Sequence, residues 1–330
     1  MSEGEISYSI EGLTEELLQL YLSSTMSRAE GGRPSIEWRF KNNPLPFCVG
    51  RIDGEVVGLS AYIQTKMRIG EETGTAIQAV DSYTPEKMRG RGIFTKLAEA
   101  YHAYAEDAGI DLVWCFPNPA AGRVWYGKLG WTDLNPAPFL VKPLRAGYLL
   151  RKLRIPFDFP LSTARDQGLE QTDVIEDWVD ECWDRFVPTA EIATHRHKDY
   201  LRHRLLEGPL AASYRVVTPA QEAFVATRRA DKHGGRIGYV MEAFGPETAL
   251  REILASELAR MRDLGTEVAL AWAYPWQANY RALRRAGFFP LPERLRPVQI
   301  RHGCRPISSR SDRAKNSSVW HLSYLDSDTV

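Results

Sequence analysis

At 330 residues the chain is long enough for two domains of ordinary size. Lys+Arg and Asp+Glu stand at 42 each, with 44% apolar and 25% charged residues. No global field therefore draws nucleic acid or an anionic membrane, and any anion site must be local. The N-terminus MSEGEISYSIEGL is acidic and unlike a signal peptide, and no run approaches the roughly 18 apolar residues of a membrane span. Cys48, Cys115, Cys182 and Cys304 are scattered without CxxC spacing. The expectation is a cytoplasmic, reduced protein with no metal, no nucleic acid and no membrane partner.

Residues 6–12 read as a short strand, and TEELLQLYLSSTM (14–26) as a helix behind a Thr cap with acidic first-turn residues. SIEWRFKNNP (35–44) predicts a second short helix closed by Asn-Pro. FCVGRI and EVVGLSAYIQTKMRI are joined by Asp53-Gly54, a two-residue hairpin signal. GEETG turns the chain into the strand TAIQAVDSY (75–83). PEKMRGRGIF then opens a helix whose apolar positions Ile93, Leu97, Tyr101, Tyr104 and Ala108 fall three or four apart, with Gly109 at its end. His102 on this helix reads as a surface residue. IDLVWCFP (110–117) is a wholly apolar strand, GRVWYGKLG a short helix, and a final hairpin through Phe139–Val141 completes the unit. A strand–helix–strand crossing with a glycine-rich turn at its start implies an α/β layer architecture.

Residues 145–170 read as a connector, basic at GYLLRKLR and broken by Pro156 and Pro160, after which the plan runs again. SIEWRFKNNPL (35–45) echoes DYLRHRLLEGPL (199–210), AGIDLVWCFPNP (108–119) echoes LGTEVALAWAYP (264–275), and VWYGKLGW (124–131) echoes YRALRRAGF (280–288). The echoes keep their order at similar offsets, which indicates an internal duplication. The stretch EAFGPETALREILASEL in the second copy contains no RGRG and is five residues shorter where the first copy holds that turn.

Arg89-Gly90-Arg91-Gly92-Ile93-Phe94 is the sharpest feature. Two glycines at this spacing between a strand and a helix let successive N–H groups point into one cavity at the positive end of the helix, which suits a pyrophosphate. A plain basic turn is the competing reading. The string is neither a Walker loop nor GxGxxG, so nucleotide hydrolysis and a dinucleotide fold are disfavoured.

TPEKMRGRGIFTKL, then FPN, then YGKLGW, resembles the GNAT superfamily of acyl-CoA N-acyltransferases. Its phosphate loop reads Arg/Gln-x-x-Gly-x-Gly/Ala, and this chain departs only at Phe94, where a small residue is usual. The resemblance covers roughly 6–144 and extends to 165–330 as a degenerate repeat, similar to tandem-GNAT proteins. It implies an α/β (α+β) fold of two GNAT-like domains, each a mixed, mostly antiparallel sheet flanked by helices. The implied domains are a catalytic domain at 1–150, a linker at 151–164 and a domain lacking the phosphate loop at 165–330. It also implies that Arg89, Gly90, Arg91, Gly92, Ile93 and Phe94 bind the coenzyme A pyrophosphate and that the strand edge at Asp81–Tyr83 pairs with the pantetheine arm. Asn118 and Tyr126 would touch the coenzyme.

Tyr126 also stands on chemistry, because a phenol keeps its proton at neutral pH and can give it to a leaving thiolate in a dry site. An aromatic core residue beside Trp125 and Trp131 is the alternative; its counterpart in the second copy, Leu283, cannot donate. Asp81, closing the strand before the loop, is the candidate base, against a solvated turn carboxylate. His195-Arg-His197 suggests a metal pair, but no Cys or acidic ligand follows at useful spacing, so a solvated helix start is preferred. The basic stretch 294–315 reads as a solvated hairpin connection, or as a clamp for a phosphorylated acceptor, and the acidic tail 326–330 as disordered.

The expected activity is direct transfer of an acetyl or other short acyl group from coenzyme A to a primary amine of a small molecule, among them a nucleotide-linked amino sugar. A homodimer stays open. The rival readings are a non-catalytic acyl-CoA-binding regulatory module and an aminoacyl transferase.

Overall fold

The structure, a computed structural model, describes residues 5–24, 32–187, 190–232, 234–296 and 299–327. Residues 25–26 of the first expected helix, part of the 294–315 stretch (297–298) and the end of the acidic tail (328–330) lie outside them. The elements in chain order are β1 (Ser7–Glu11), α1 (Glu15–Ser23), α2 (Gly32–Phe40), β2 (Phe47–Ile52), β3 (Glu55–Ile69), β4 (Glu72–Tyr83), α3 (Ile93–Asp107), β5 (Leu112–Cys115), α4 (Pro119–Gly127) and β6 (Thr132–Leu134). Then come β7 (Phe139–Pro143), α5 (Gly147–Lys152), α6 (Trp178–Phe186), β8 (Ile192–Thr194), α7 (Lys198–Leu205), β9 (Tyr214–Val217), β10 (Phe224–Lys232) and β11 (Gly235–Phe244). The chain ends with α8 (Glu247–Asp263), β12 (Val268–Trp272), α9 (Tyr280–Arg285), β13 (Phe289–Pro290) and β14 (His302–Pro306).

Chain contacts define two compact units, Met1–Pro136 with Ile300–Val319, and Ala137–Gln299 with Trp320–Asp328. In the first, the strand order is β1-β2-β3-β4-β5-β14-β6, with β4–β5 parallel and the other neighbours antiparallel. Local chemistry fixes the elements. Thr14 caps α1 by accepting from Leu17 N, and Leu17, Leu18 and Tyr21 form its buried stripe. Asp53 and Gly54, both at positive φ, make the expected two-residue hairpin. One face of this sheet carries α1 and α2 over Phe47, Leu59 and Ala61; the other carries α3 over Tyr62, Ile77 and Val113.

The α3 stripe runs Ile93, Leu97, Tyr101 and then Ala105, whereas Ala108 is the exposed C-cap. His102 is not a surface residue. It is 3% exposed and accepts the Trp131 indole N–H at 3.3 Å, and burial pushes its pKa down to about 3. A neutral imidazole is the acceptor this contact needs.

The second sheet runs β13-β7-β12-β11-β10-β9, again with one parallel pair, β11–β12. The likeness reaches single residues. The β3–β4 ladder shifts between Ala61↔Asp81 and Tyr62↔Ala79, leaving Val80 as a bulge. The β10–β11 ladder shifts between Ala226↔Glu242 and Thr227↔Val240, leaving Met241. Both bulges directly precede an acidic residue.

Two expectations fail here. Phe139–Val141 do not close a hairpin on the first unit: β7 lies between β12 and β13 of the second sheet, and β14 fills the corresponding place between β5 and β6 of the first. Each sheet thus takes a strand from the far part of the chain. Apolar alternation marks a strand but does not say which sheet receives it, so sequence order was a poor guide. The basic 294–315 stretch is likewise no solvated loop. It holds β14 and a 3-10 helix, Ser309–Lys315. Arg310 clamps Asp111 and Glu72, and Arg305 donates to Leu129 O at 2.8 Å.

Candidate functional site

The parallel pairing of β4 with β5 stops at Ala79↔Cys115, and Val80–Tyr83 pair with β3 alone. Beyond Ala79 the β4 edge toward β5 has no strand partner among the described residues, so the central strands part where Asp81 was expected to mark the opening. The chain then makes a 3-10 turn, Glu86–Met88, pinned by buried Met88, and runs through an extended Arg89 to Gly90 and Gly92 at φ +81 and +76. Only glycine holds such angles without strain. A Cβ at either position would meet nothing within 4 Å, so the turn is open rather than packed shut.

Gly92 is the N-cap of α3. It offers no side-chain cap, and the first turn has no acidic residue. The first-turn amides of α3 therefore face outward at the positive end of a 15-residue helix. Arg89 and Arg91 are exposed beside them, Arg89 Nε donating to Thr84 O at 3.3 Å. Gly58 brings the helix close to β3: a Cβ there would stand 2.5 Å from Ile93 Cγ2 and 3.1 Å from Leu97 Cδ1. Phe94 packs edge-on against Trp125 at 5.1 Å, so the residue that departs from the family pattern ties the loop helix to α4.

Asn118 caps α4, its Oδ1 accepting from Ala120 N and Ala121 N at 3.0 and 2.9 Å, with Pro119 at the first helical position. Its side chain is exposed, and this capping role holds the helix that carries Tyr126. The Tyr126 hydroxyl is buried without a hydrogen-bond partner among the described residues. Burial raises its pKa above the usual 10, Cys115 adds to this, and Arg301, whose guanidinium lies 4.7 Å over the ring, opposes it.

The phenol fits because two glycines flank it. A Cβ on Gly122 would be 3.2 Å from Tyr126 Cε2, and one on Gly303 would be 2.7 Å from Oη. Gly303 pairs with Cys115 in the β5–β14 ladder. Replacing Gly303 by Ala must push the hydroxyl aside. The expected result is a loss of turnover of about 10²-fold with the sheet intact, read by thiol release and circular dichroism. Unchanged turnover would show that the phenol position is immaterial.

Asp81 and Tyr83 lie on the sheet face covered by α1 and α2, with Tyr83 packed on that cluster. Asp81 is not a solvated turn residue. Its Oδ2 accepts from the Tyr21 hydroxyl and from Arg39 Nη1, the latter at 3.1 Å, with 22% of its side chain exposed. Sequence reading missed both partners, as well as Arg301 and Gly303. Tyr21 and Arg39 lie in helices whose ends the sequence marks but whose contacts with β4 it does not. Gly303 and Arg301 lie almost 180 residues beyond Tyr126, with no local signal.

The corresponding places of the second unit are built differently. Its β11 passes to α8 through Gly245-Pro246 alone, Gly245 is jammed against Ala223, and Glu247 in the first turn pairs with Arg285. Leu283, in the place of Tyr126, is 1% exposed.

The family described as acetyltransferase (GNAT) domain matches residues 28–133. No curated protein matches the chain. Among solved structures it resembles a GCN5-related N-acetyltransferase from Anabaena variabilis, at 11% identity, TM-score 0.64 and coverage of 92% of this chain and 73% of that one. A GCN5-related N-acetyltransferase from Kribbella flavida gives 14%, 0.61, 92% and 72%. Saccharomyces cerevisiae N-myristoyltransferase with bound myristoyl-CoA gives 12%, 0.58, 93% and 81%. The GNAT match lies within the first unit, over residues 28–133, and the two mixed sheets share the fold of these solved structures.

Proposed function

We propose that the first unit transfers an acetyl or other short acyl group from coenzyme A directly to a primary amine of a small molecule, and that the second unit is a degenerate tandem copy that does not catalyse. The observation that carries this is the open double-glycine turn at the α3 N-terminus beside the parted ends of β4 and β5. Amides of Gly90–Phe94 would hold the pyrophosphate, Arg89 and Arg91 would add charge, and the β4 edge at Asp81–Tyr83 would pair with the pantetheine arm.

The amine nitrogen attacks the thioester carbonyl, the C–N bond forms, the C–S bond breaks, and the departing thiolate takes the Tyr126 proton. Asp81 is the proposed acceptor of the amine's proton. Its Oδ2 already accepts hydrogen bonds from Tyr21 and Arg39, so an incoming amine must compete with both for that oxygen. That same pairing favours the second reading, a module that binds acyl-CoA and transfers nothing. A nucleotide-linked amino sugar as acceptor had two supports: the FPN…KLGW wording and the basic 294–315 stretch. The second support is weakened, because Arg301, Arg305 and Arg310 of that stretch are paired within the first unit.

Titration calorimetry with acetyl-CoA, followed by thiol release over a panel of amines, tests both readings. Saturable binding with turnover is expected. Binding without turnover on any amine selects the module, and no binding of acetyl-CoA or other acyl-CoAs removes both.

A further inference from the structure

The pair His195 and His197, set aside in the sequence for want of an acidic partner, acquires one in the fold. Asp184 of α6 stands beside them, and the ligand atoms of Asp184, His195 and His197 all lie within 4.8 Å of one another. His197 Nε2 is 3.0 Å from Asp184 Oδ1, and the two imidazoles meet edge to face at 4.6 Å. We propose that Asp184, His195 and His197 form a binding site for a divalent ion of the zinc class in the second unit, with water completing the coordination.

The chain geometry explains the convergence. His197 has extended backbone at φ −73 and ψ 161, so side chains at 195 and 197 emerge on one side while Arg196 points to the other. Arg196 is fully buried and fixed by Glu242 at 2.6 Å and Asp326 at 2.7 Å. Its guanidinium also lies 5.9 Å over the ring of Trp183, itself fully buried and packed on Phe244. Each donor is therefore the sequence neighbour of a buried anchor, and the two anchors stack on each other. That arrangement holds the donors from α6 and from the β8–α7 corner together before any ion arrives. Lys198 adds a second tie between the same elements, its N–H donating to Asp180 at 2.6 Å.

Two imidazoles and one carboxylate suit zinc-class ions. Around a tetrahedral ion with bonds of about 2.0–2.1 Å, donors stand about 3.4 Å apart. Side-chain rotations alone can close the present spacing. A lone surface His–Asp pair would contribute little and would not need the second histidine.

The test uses the full chain, stripped with chelator and titrated with zinc chloride by calorimetry, with cobalt(II) absorption as a second readout. One equivalent bound at micromolar or tighter affinity is expected, with visible cobalt bands of a tetrahedral site. Asp184→Asn and His197→Gln, both at accessible positions, should each weaken binding at least tenfold while circular dichroism is unchanged. No saturable binding at 100-fold excess over micromolar zinc, about 10⁻⁴ M, would overturn the site. So would equal binding by either variant, which would place the ion elsewhere, on a thiol for example.

Discussion

Tyr126→Phe is expected to lower turnover by about 10²–10⁴-fold, the span of a lost general acid, while acetyl-CoA affinity stays within about twofold. Ring packing survives the change, because Arg301 still covers the ring and Gly122 and Gly303 still flank it. The hydroxyl has no partner to lose among the described residues. Removing a buried, unpaired polar group relieves a desolvation cost, so the variant should unfold at the same temperature as the parent or above it. A structural role for the phenol predicts the opposite pair of results. Urea denaturation and thiol-release kinetics on the same preparation separate the two. A variant that is both active and no more stable would return Tyr126 to the core.

The pH dependence follows the same geometry. Burial holds the phenol's pKa above its usual value, so the protonated acid persists through and beyond neutral pH. The alkaline limb of the rate profile should not fall near pH 10 or below on account of Tyr126.

What the sequence disclosed was local. The Asp53-Gly54 hairpin, the Thr14 cap and the turn glycines at 90 and 92 each depend on a few neighbouring residues, and each is where it was expected. What it hid was long-range. The places of β7 and β14 depend on pairing over more than a hundred residues, for which apolar alternation has no vocabulary. His102 reads as a surface residue of its helix, yet Trp131 reaches across to bury it. The Tyr126 pocket needs Gly303, and nothing near either residue announces the other. The site was therefore legible as a set of chemical groups and only partly as an arrangement. His195 and His197 show the same limit, since Asp184 lies upstream in a separate helix.

Glu242→Gln should destabilise the second unit by roughly 3–5 kcal/mol, the usual cost of removing one partner of a buried ion pair. Glu242 follows the β11 bulge as Asp81 follows that of β4, but their surroundings differ. Asp81 keeps part of its surface, whereas Glu242 is fully buried, accepting from Arg196 at 2.6 Å and Ser323 Oγ at 2.7 Å with His321 at 3.6 Å. Burial alone would push its pKa up; Arg196 and His321 more than reverse that and bring it to about 2, against 4.5 when unfolded. A depressed folded pKa contributes stability that is complete above about pH 4.5 and is lost as the pH falls toward 2. The parent should thus lose more stability than Glu242→Gln between pH 5 and pH 3, and the two should converge at the acid end. Urea unfolding followed by circular dichroism reads the difference. The residue after the bulge thus stands at the parted strands in the first sheet and in a core ion pair in the second. A cost no greater than that of a surface pair, with parallel pH curves, would contradict a structural role for this ion pair.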